Sequence, residues 1–274
     1  NKQQNFFSEN TKYEVQTIRL VFNNPEEWLV DDKDEVKQDL LILLNDLLVK
    51  YNIGFCSLGR LPTRLSHLAP QIIFSGSKFN CSVDVQRADV SGALNVAKAC
   101  EEIARKTEGG LGNFRFCASL NFANDSCCPF FPGSFAPSVS NSENSDEKIK
   151  MYFSIGLENG VDFQIACKKA KTIANLGQCI LNEFTPGLLE IQKYCIGMEQ
   201  KNESSAFQFI YAGIDSSLNP ALGKDGSIAY GFNMLEEIEN FGESGASLAA
   251  VAEATMAVQN DLKNKSNIKL CGYC

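Results

Sequence analysis

Histidine is almost missing from this sequence: His67 is the only one. A Ser-His-Asp or Cys-His arrangement would have to use it within "LPTRLSHLAPQ", where no nucleophile motif accompanies it, so it is assigned to the surface or the core edge. Excess positive charge is missing too. With 25 basic and 33 acidic residues the net charge is -8, and no Lys/Arg stripe offsets it. That balance excludes nucleic acid or an anionic membrane as the main partner. No apolar run reaches the roughly 18 to 20 residues that cross a bilayer. The stretch "NKQQNFFSENTKYE" has neither the charged nor the apolar region of a signal peptide. The expectation is a soluble, intracellular protein of the cytoplasm. Phosphate loops of the P-loop or Rossmann kind are absent as well, because "EGGLGN", Glu108 to Asn113, precedes a strand-like run instead of following one.

Cysteine, by contrast, is plentiful. Eleven are present, an odd number, and Cys56, Cys117, Cys167 and Cys179 fall in apolar segments where a thiol behaves as a small hydrophobe. Reduced thiols are expected, not a disulfide framework. The "CGYC" pair, Cys271 and Cys274, has a metal or dithiol spacing. Zinc needs about four ligands, and only the adjacent Cys127 and Cys128 could complete the set. A redox dithiol wants a helix N-terminus to lower its pKa, and no helical pattern follows. No metal is therefore assigned.

What the sequence does contain is alternation. Strand-like runs occur as "VQTIRLVF" near residue 15, "IGFCSLG" at 53, "PQIIFSG" at 70, "NFRFCASLNF" at 113, "KMYFSIGL" at 150, "FQFIYAGI" at 207 and "IKLC" at 268. Helical patterns separate several of them. Over 33–51, Val36, Leu40, Leu44, Leu47, Leu48 and Tyr51 mark one face, and over 162–184 a similar spacing runs to a stop at "TPG". Further helices fit "GALNVAKACEEIARKT", "SIAYGFNMLEEIENF" and "ASLAAVAEATMAVQNDLKN". The fold class is α/β, as a barrel or a doubly wound sheet, in one domain over 1–274. The polar tract 136–150 is a surface loop or lid.

Ligands of such sheets bind beyond the carboxyl ends of the strands. Four strand-like runs end there in polar residues. "FQFIYAGI" leads into Asp215, Ser216, Ser217 and Asn219; "KMYFSIGL" into Glu158 and Asn159; "NFRFCASLNF" into Asp125; and "IKL" into Cys271. The candidate catalytic residues are Asp125, Glu158, Asp215 and Cys271. The candidate substrate-binding residues are Asn159, Ser216, Ser217 and Asn219, with Phe130 and Phe131 held between Pro129 and Pro132 as a wall or a plug. Asp215 alone could equally make an Asx-turn or cap a helix.

Along its length the chain also resembles the family labelled domain of unknown function 711. The resemblance rests on "VQTIRLVFNNPEEWL", "NFRFCASLNFANDSCCPFFPGSF", "YFSIGLENGVDF", "KTIANLGQCILNEF", "FIYAGIDSSLNP" and "IKLCGYC" in the family's order. It implies a β/α barrel like that of pyruvate formate-lyase and the anaerobic ribonucleotide reductases. It does not imply their radical chemistry, since no glycyl-radical signature is found, and it carries no role to Cys127 or Cys128. Further strands beyond Cys274 are expected from it, so the barrel here is read as incomplete at its C-terminus.

Two functions follow. One is a small-molecule enzyme whose carboxylates do acid-base work or hold a divalent cation, with no cofactor assigned. The alternative is a catalytically silent structural subunit of a homo-oligomer or larger assembly, which the 10% aromatic content would serve. A thiol-based metal or redox module, a third reading, would need Cys271 and Cys274 close to Cys127 or Cys128.

Overall fold

In a computed structural model of the protein the chain forms two compact units, one chiefly Glu14–Glu143 and the other chiefly Asn144–Cys274. Residues 17–87, 89–120, 122, 128 and 130–136 of the first are described; in the second, the backbone of three strands and individual helical residues between 169 and 264 are described. The tract 137–150 and the segment "SIAYGFNMLEEIENF" lie outside the described residues.

The first unit runs β1 (Arg19–Val21), α1 (Pro25–Trp28), α2 (Gln38–Lys50), β2 (Phe55–Pro62), α3 (Ala69–Ser75), β3 (Phe79–Val85), α4 (Val90–Lys106) and β4 (Phe116–Leu120). All neighbouring strands are parallel, in the order β1-β2-β3-β4. Crossovers of one hand between strands laid down in sequence order put every helix on the same face. The core confirms it. Cys56, Leu58, Leu61, Phe79, Cys81, Val83, Val85 and Phe116 from the strands share one cluster with Leu41 and Leu48 of α2, Ile72 and Ile73 of α3, and Val96, Ala99 and Ile103 of α4.

Leu58 and Leu61 are three residues apart, yet both face that core. Simple alternation would send them to opposite faces. A bulge resolves the conflict, because Ser57 pairs with Asn80 and Arg60 with Ser82, leaving Leu58 and Gly59 opposite Cys81 alone. Gly59 takes φ +97°, and a Cβ there would lie 2.9 Å from the Phe22 carbonyl oxygen, so the bulge needs glycine. Arg60 is thereby brought into line with Ser82.

Three expectations need correction. "PQIIFSG" is not a strand but helix α3, preceded by a 3-10 segment, Thr63–Leu68. Pro70 falls in the first turn, where its fixed φ and missing N–H suit a helix. The strand at this point of the fold is β3, "FNCSVDV", which the apolar-run reading passes over because Asn80, Ser82 and Asp84 interrupt it. The buried stripe of α2 is Leu41 and Leu48, with Leu44 partly buried, while Leu40, Leu47 and Tyr51 are exposed. A helix so rich in leucine offers several equivalent apolar faces, and packing chooses among them.

Helix α4 follows its pattern, burying Gly92, Val96, Ala99 and Ile103. Asp89 caps it by accepting the Gly92 N–H at 2.7 Å. In the second unit β5 (Met151–Glu158), β6 (Phe207–Asp215) and β7 (Lys269–Tyr273) form another parallel sheet in sequence order. The described residues between β5 and β6 are helical, including Lys169, Ala170, Gln178 and Cys179 before "TPG" and Leu189 and Glu190 after it. Those between β6 and β7, such as Met256 and Asp261, are helical as well.

Candidate functional site

Two places carry the candidate chemistry, one in each unit. In the second unit the backbone register pairs Glu158, the last residue of β5, with Asp215, the last residue of β6. Adjacent parallel strands lie about 4.8 Å apart, so these two carboxylate-bearing residues are neighbours at the carboxyl ends of one sheet. Cys271 is placed differently from the sequence expectation. It falls inside β7, where Ala212 pairs with Leu270 and Gly213 with Gly272, so Cys271 is the extra residue of a bulge. Asp125, Asn159, Ser216, Ser217 and Asn219 lie outside the described residues.

In the first unit, the sheet face opposite the helices is polar. Successive register pairs place Ser57 beside Asn80, Arg60 beside Ser82, Ser82 beside Cys117, and Asp84 beside Ser119. Ser57, Asn80, Ser82 and Ser119 are buried. Their cover is the segment 130–136. Ser57 donates its hydroxyl to the Ser134 carbonyl at 2.5 Å, Cys128 and Phe135 exchange two backbone hydrogen bonds, and the Ala136 N–H reaches the Phe22 carbonyl.

Aromatic rings seat this cover on the arginines. The Arg60 guanidinium lies 3.8 Å from the centroid of Phe135, and Phe122 meets the same ring edge-on at 5.1 Å. Phe131 packs against Phe55 at 6.2 Å, and Arg19 sits over both rings. Phe130 and Phe131 are half-buried. Phe131 thus packs against Phe55 and Arg19.

Under that cover the polar groups are incompletely paired. Arg60 and Asp84 approach to 3.7 Å, an ion pair longer than a hydrogen bond, with the Arg60 side chain 8% exposed. Arg60 Nη1, Asp84 Oδ1, Ser82 Oγ and Ser134 Oγ are buried without hydrogen-bond partners. The other Asp84 oxygen accepts from Gln86 at 3.0 Å. Sequence reasoning missed Arg60, Ser82 and Asp84. For Ser82 and Asp84 the signal was the strict alternation of polar and apolar residues in "FNCSVDV", a strand with one polar face; Arg60 reaches that face only through the bulge in β2.

Thiols on both faces of this sheet, Cys117 on the polar face and Cys56 in the core, are held protonated. Burial pushes Cys117 up to about 11, helped by neighbouring Cys128 and opposed by a hydrogen bond from Ser119; burial alone takes Cys56 to about 12. Such thiols are poor nucleophiles and poor metal ligands, and no cluster of metal-binding side chains occurs among the described residues.

An open cleft of about 490 Å³ lies at the other end of the strands, lined by Phe74, Ser77, Lys106 and Arg115 among others. Its arginine is already committed: Arg115 donates to the carbonyls of Ile73, Gly76 and Phe79 at 2.9, 2.5 and 3.3 Å. That end of the sheet is built for anchoring α3. No described helix is long and apolar enough to cross a membrane.

A family model described as Uncharacterised ACR (DUF711) matches residues 1–274, the whole chain. No curated protein matches the sequence.

Proposed function

The chain belongs to the Uncharacterised ACR (DUF711) family, and from that footing we propose a small-molecule enzyme working at the carboxyl ends of parallel strands. The observation that carries this reading is the pairing of Glu158 with Asp215 at adjacent strand ends. Register neighbours at adjacent strand ends that both bear carboxylates are the residue types that acid-base work requires. Asn159, Ser216, Ser217, Asn219 and Cys271, from the same unit, are proposed to complete the pocket. The strands are proposed to belong to one barrel of the pyruvate formate-lyase type, without its radical chemistry. Sequence-order parallel strands, with helices on one face of the first sheet and polar groups on the other, support that arrangement.

The test is turnover. A mixture of small metabolites incubated with the protein and followed by mass spectrometry should lose one component. Glu158→Gln and Asp215→Asn, each shown to be folded, should slow that loss by roughly 100-fold or more. A protein that transforms nothing, or variants as active as the parent, would remove the proposal.

One observation favours the structural-subunit alternative. On α2, Ile42, Leu43 and Val49 are 64%, 57% and 62% exposed, an apolar surface of the kind an assembly covers. Native mass spectrometry separates the readings: stable subunit complexes without turnover support the alternative, and an active monomer opposes it.

A further inference from the structure

We propose that the polar face of the β1–β4 sheet binds the carboxylate of a small organic acid carrying a hydroxyl or ammonium on the adjacent carbon, with Arg60 as anchor. The inference stands on the first unit alone and does not depend on the activity proposed for Glu158 and Asp215.

Buried polar atoms are nearly always hydrogen-bonded, and each exception calls for an explanation. Four fall here on one sheet face and its cover: Arg60 Nη1, Asp84 Oδ1, Ser82 Oγ and Ser134 Oγ. Arg60 and Ser82 are direct register partners, and Asp84 is the next residue of β3 on the same face. A guanidinium lying over Phe135 uses its π face for the ring and leaves Nη1, which has no hydrogen-bond partner, as a charged donor for a carboxylate oxygen. Arg60 Nη1 and Asp84 Oδ1 face each other as an ion pair at 3.7 Å, longer than a hydrogen bond, so neither atom is hydrogen-bonded by it.

The donor and acceptor inventory selects the ligand. Arg60 offers only donors, Ser82 and Ser134 offer either, and an ionised Asp84 only accepts. A bare anion would satisfy Arg60 and repel Asp84. A carboxylate with an adjacent hydroxyl or ammonium gives each group its complement. Inorganic phosphate, with more charge and a tetrahedral shape, fits Arg60 and the neighbouring Asp84 less well.

Ligand-observed NMR on the full chain tests this with lactate and alanine as probes, and propionate, lactamide and inorganic phosphate as controls. Lactate or alanine should bind, with propionate and lactamide each weaker by about 10-fold or more, because each lacks one of the required groups. Phosphate should bind no better than propionate. Absence of lactate and alanine binding up to about 10 mM, or lactamide binding equal to lactate, overturns the proposal.

Arg60→Lys keeps the charge and loses the planar guanidinium, and should weaken lactate about 10-fold. Should that variant fail to fold, Ser82→Ala decides. Removing a hydroxyl without a partner should raise the thermal midpoint while weakening lactate several-fold. Unchanged lactate affinity in Ser82→Ala overturns the proposal. Turnover of some other compound without lactate or alanine binding would sink this inference and leave the proposed activity standing. Lactate binding without any turnover would do the reverse.

Discussion

The Ser57 hydroxyl donates to the Ser134 carbonyl at 2.5 Å, joining residues 77 apart in sequence with both fully buried. This bond is the main polar tie between the β1–β4 sheet and its cover. Ser57→Ala leaves a buried carbonyl without its donor, at a cost of about 1–3 kcal/mol. Urea unfolding should report the loss as a lower midpoint with an unchanged slope. A midpoint equal to the parent's would show that the cover is held without this bond, by its rings and the Ala136 N–H to the Phe22 carbonyl.

Gly59 predicts a larger effect. Its φ of +97° and the 2.9 Å approach of a Cβ to the Phe22 carbonyl oxygen oppose any side chain. Gly59→Ala should cost about 1–3 kcal/mol from strain, and more if the bulge slips. Slippage would turn Arg60 to the helix-covered face, so far-ultraviolet circular dichroism as well as the unfolding midpoint should change. A variant with parental stability would contradict the bulge.

Asp89 provides a milder test. Its carboxylate accepts the Gly92 N–H at 2.7 Å and the Thr63 hydroxyl at 3.2 Å, tying the start of α4 to the end of β2. Asp89→Ala should lower stability by about 1 kcal/mol, and Asp89→Asn, which still accepts at the cap, by less. Equal losses in the two variants would show that the charge, not the cap, matters.

Alkaline pH should destabilise the protein. Burial raises the Cys56 thiol from 9.0 to about 12, so above pH 9 the unfolded chain has released a proton that the folded chain still holds. The stabilisation is complete below the unfolded value and is lost as pH climbs from 9 towards 12. The loss should approach about 1.4 kcal/mol per pH unit for this thiol, read from urea midpoints across that range. Cys56→Ala should flatten the slope while lowering stability at neutral pH; a slope unchanged in the variant would remove Cys56 from the account.

Local sequence alone determined the α/β class, the presence of α4, and the apolar strands β2, β5 and β6, because each follows from the pattern of side chains along a short segment. It also placed Glu158 and Asp215 at strand ends. It failed at "PQIIFSG", where the three apolar residues Ile72, Ile73 and Phe74 suit helix or strand alike, and at "FNCSVDV", where a polar face disguises a buried strand. Only the tertiary structure paired Glu158 with Asp215 and brought Arg60, Ser82 and Ser134 to one face. Those relationships depend on which strand lies beside which and on a single-residue bulge at Gly59, and neither is a property of any segment by itself.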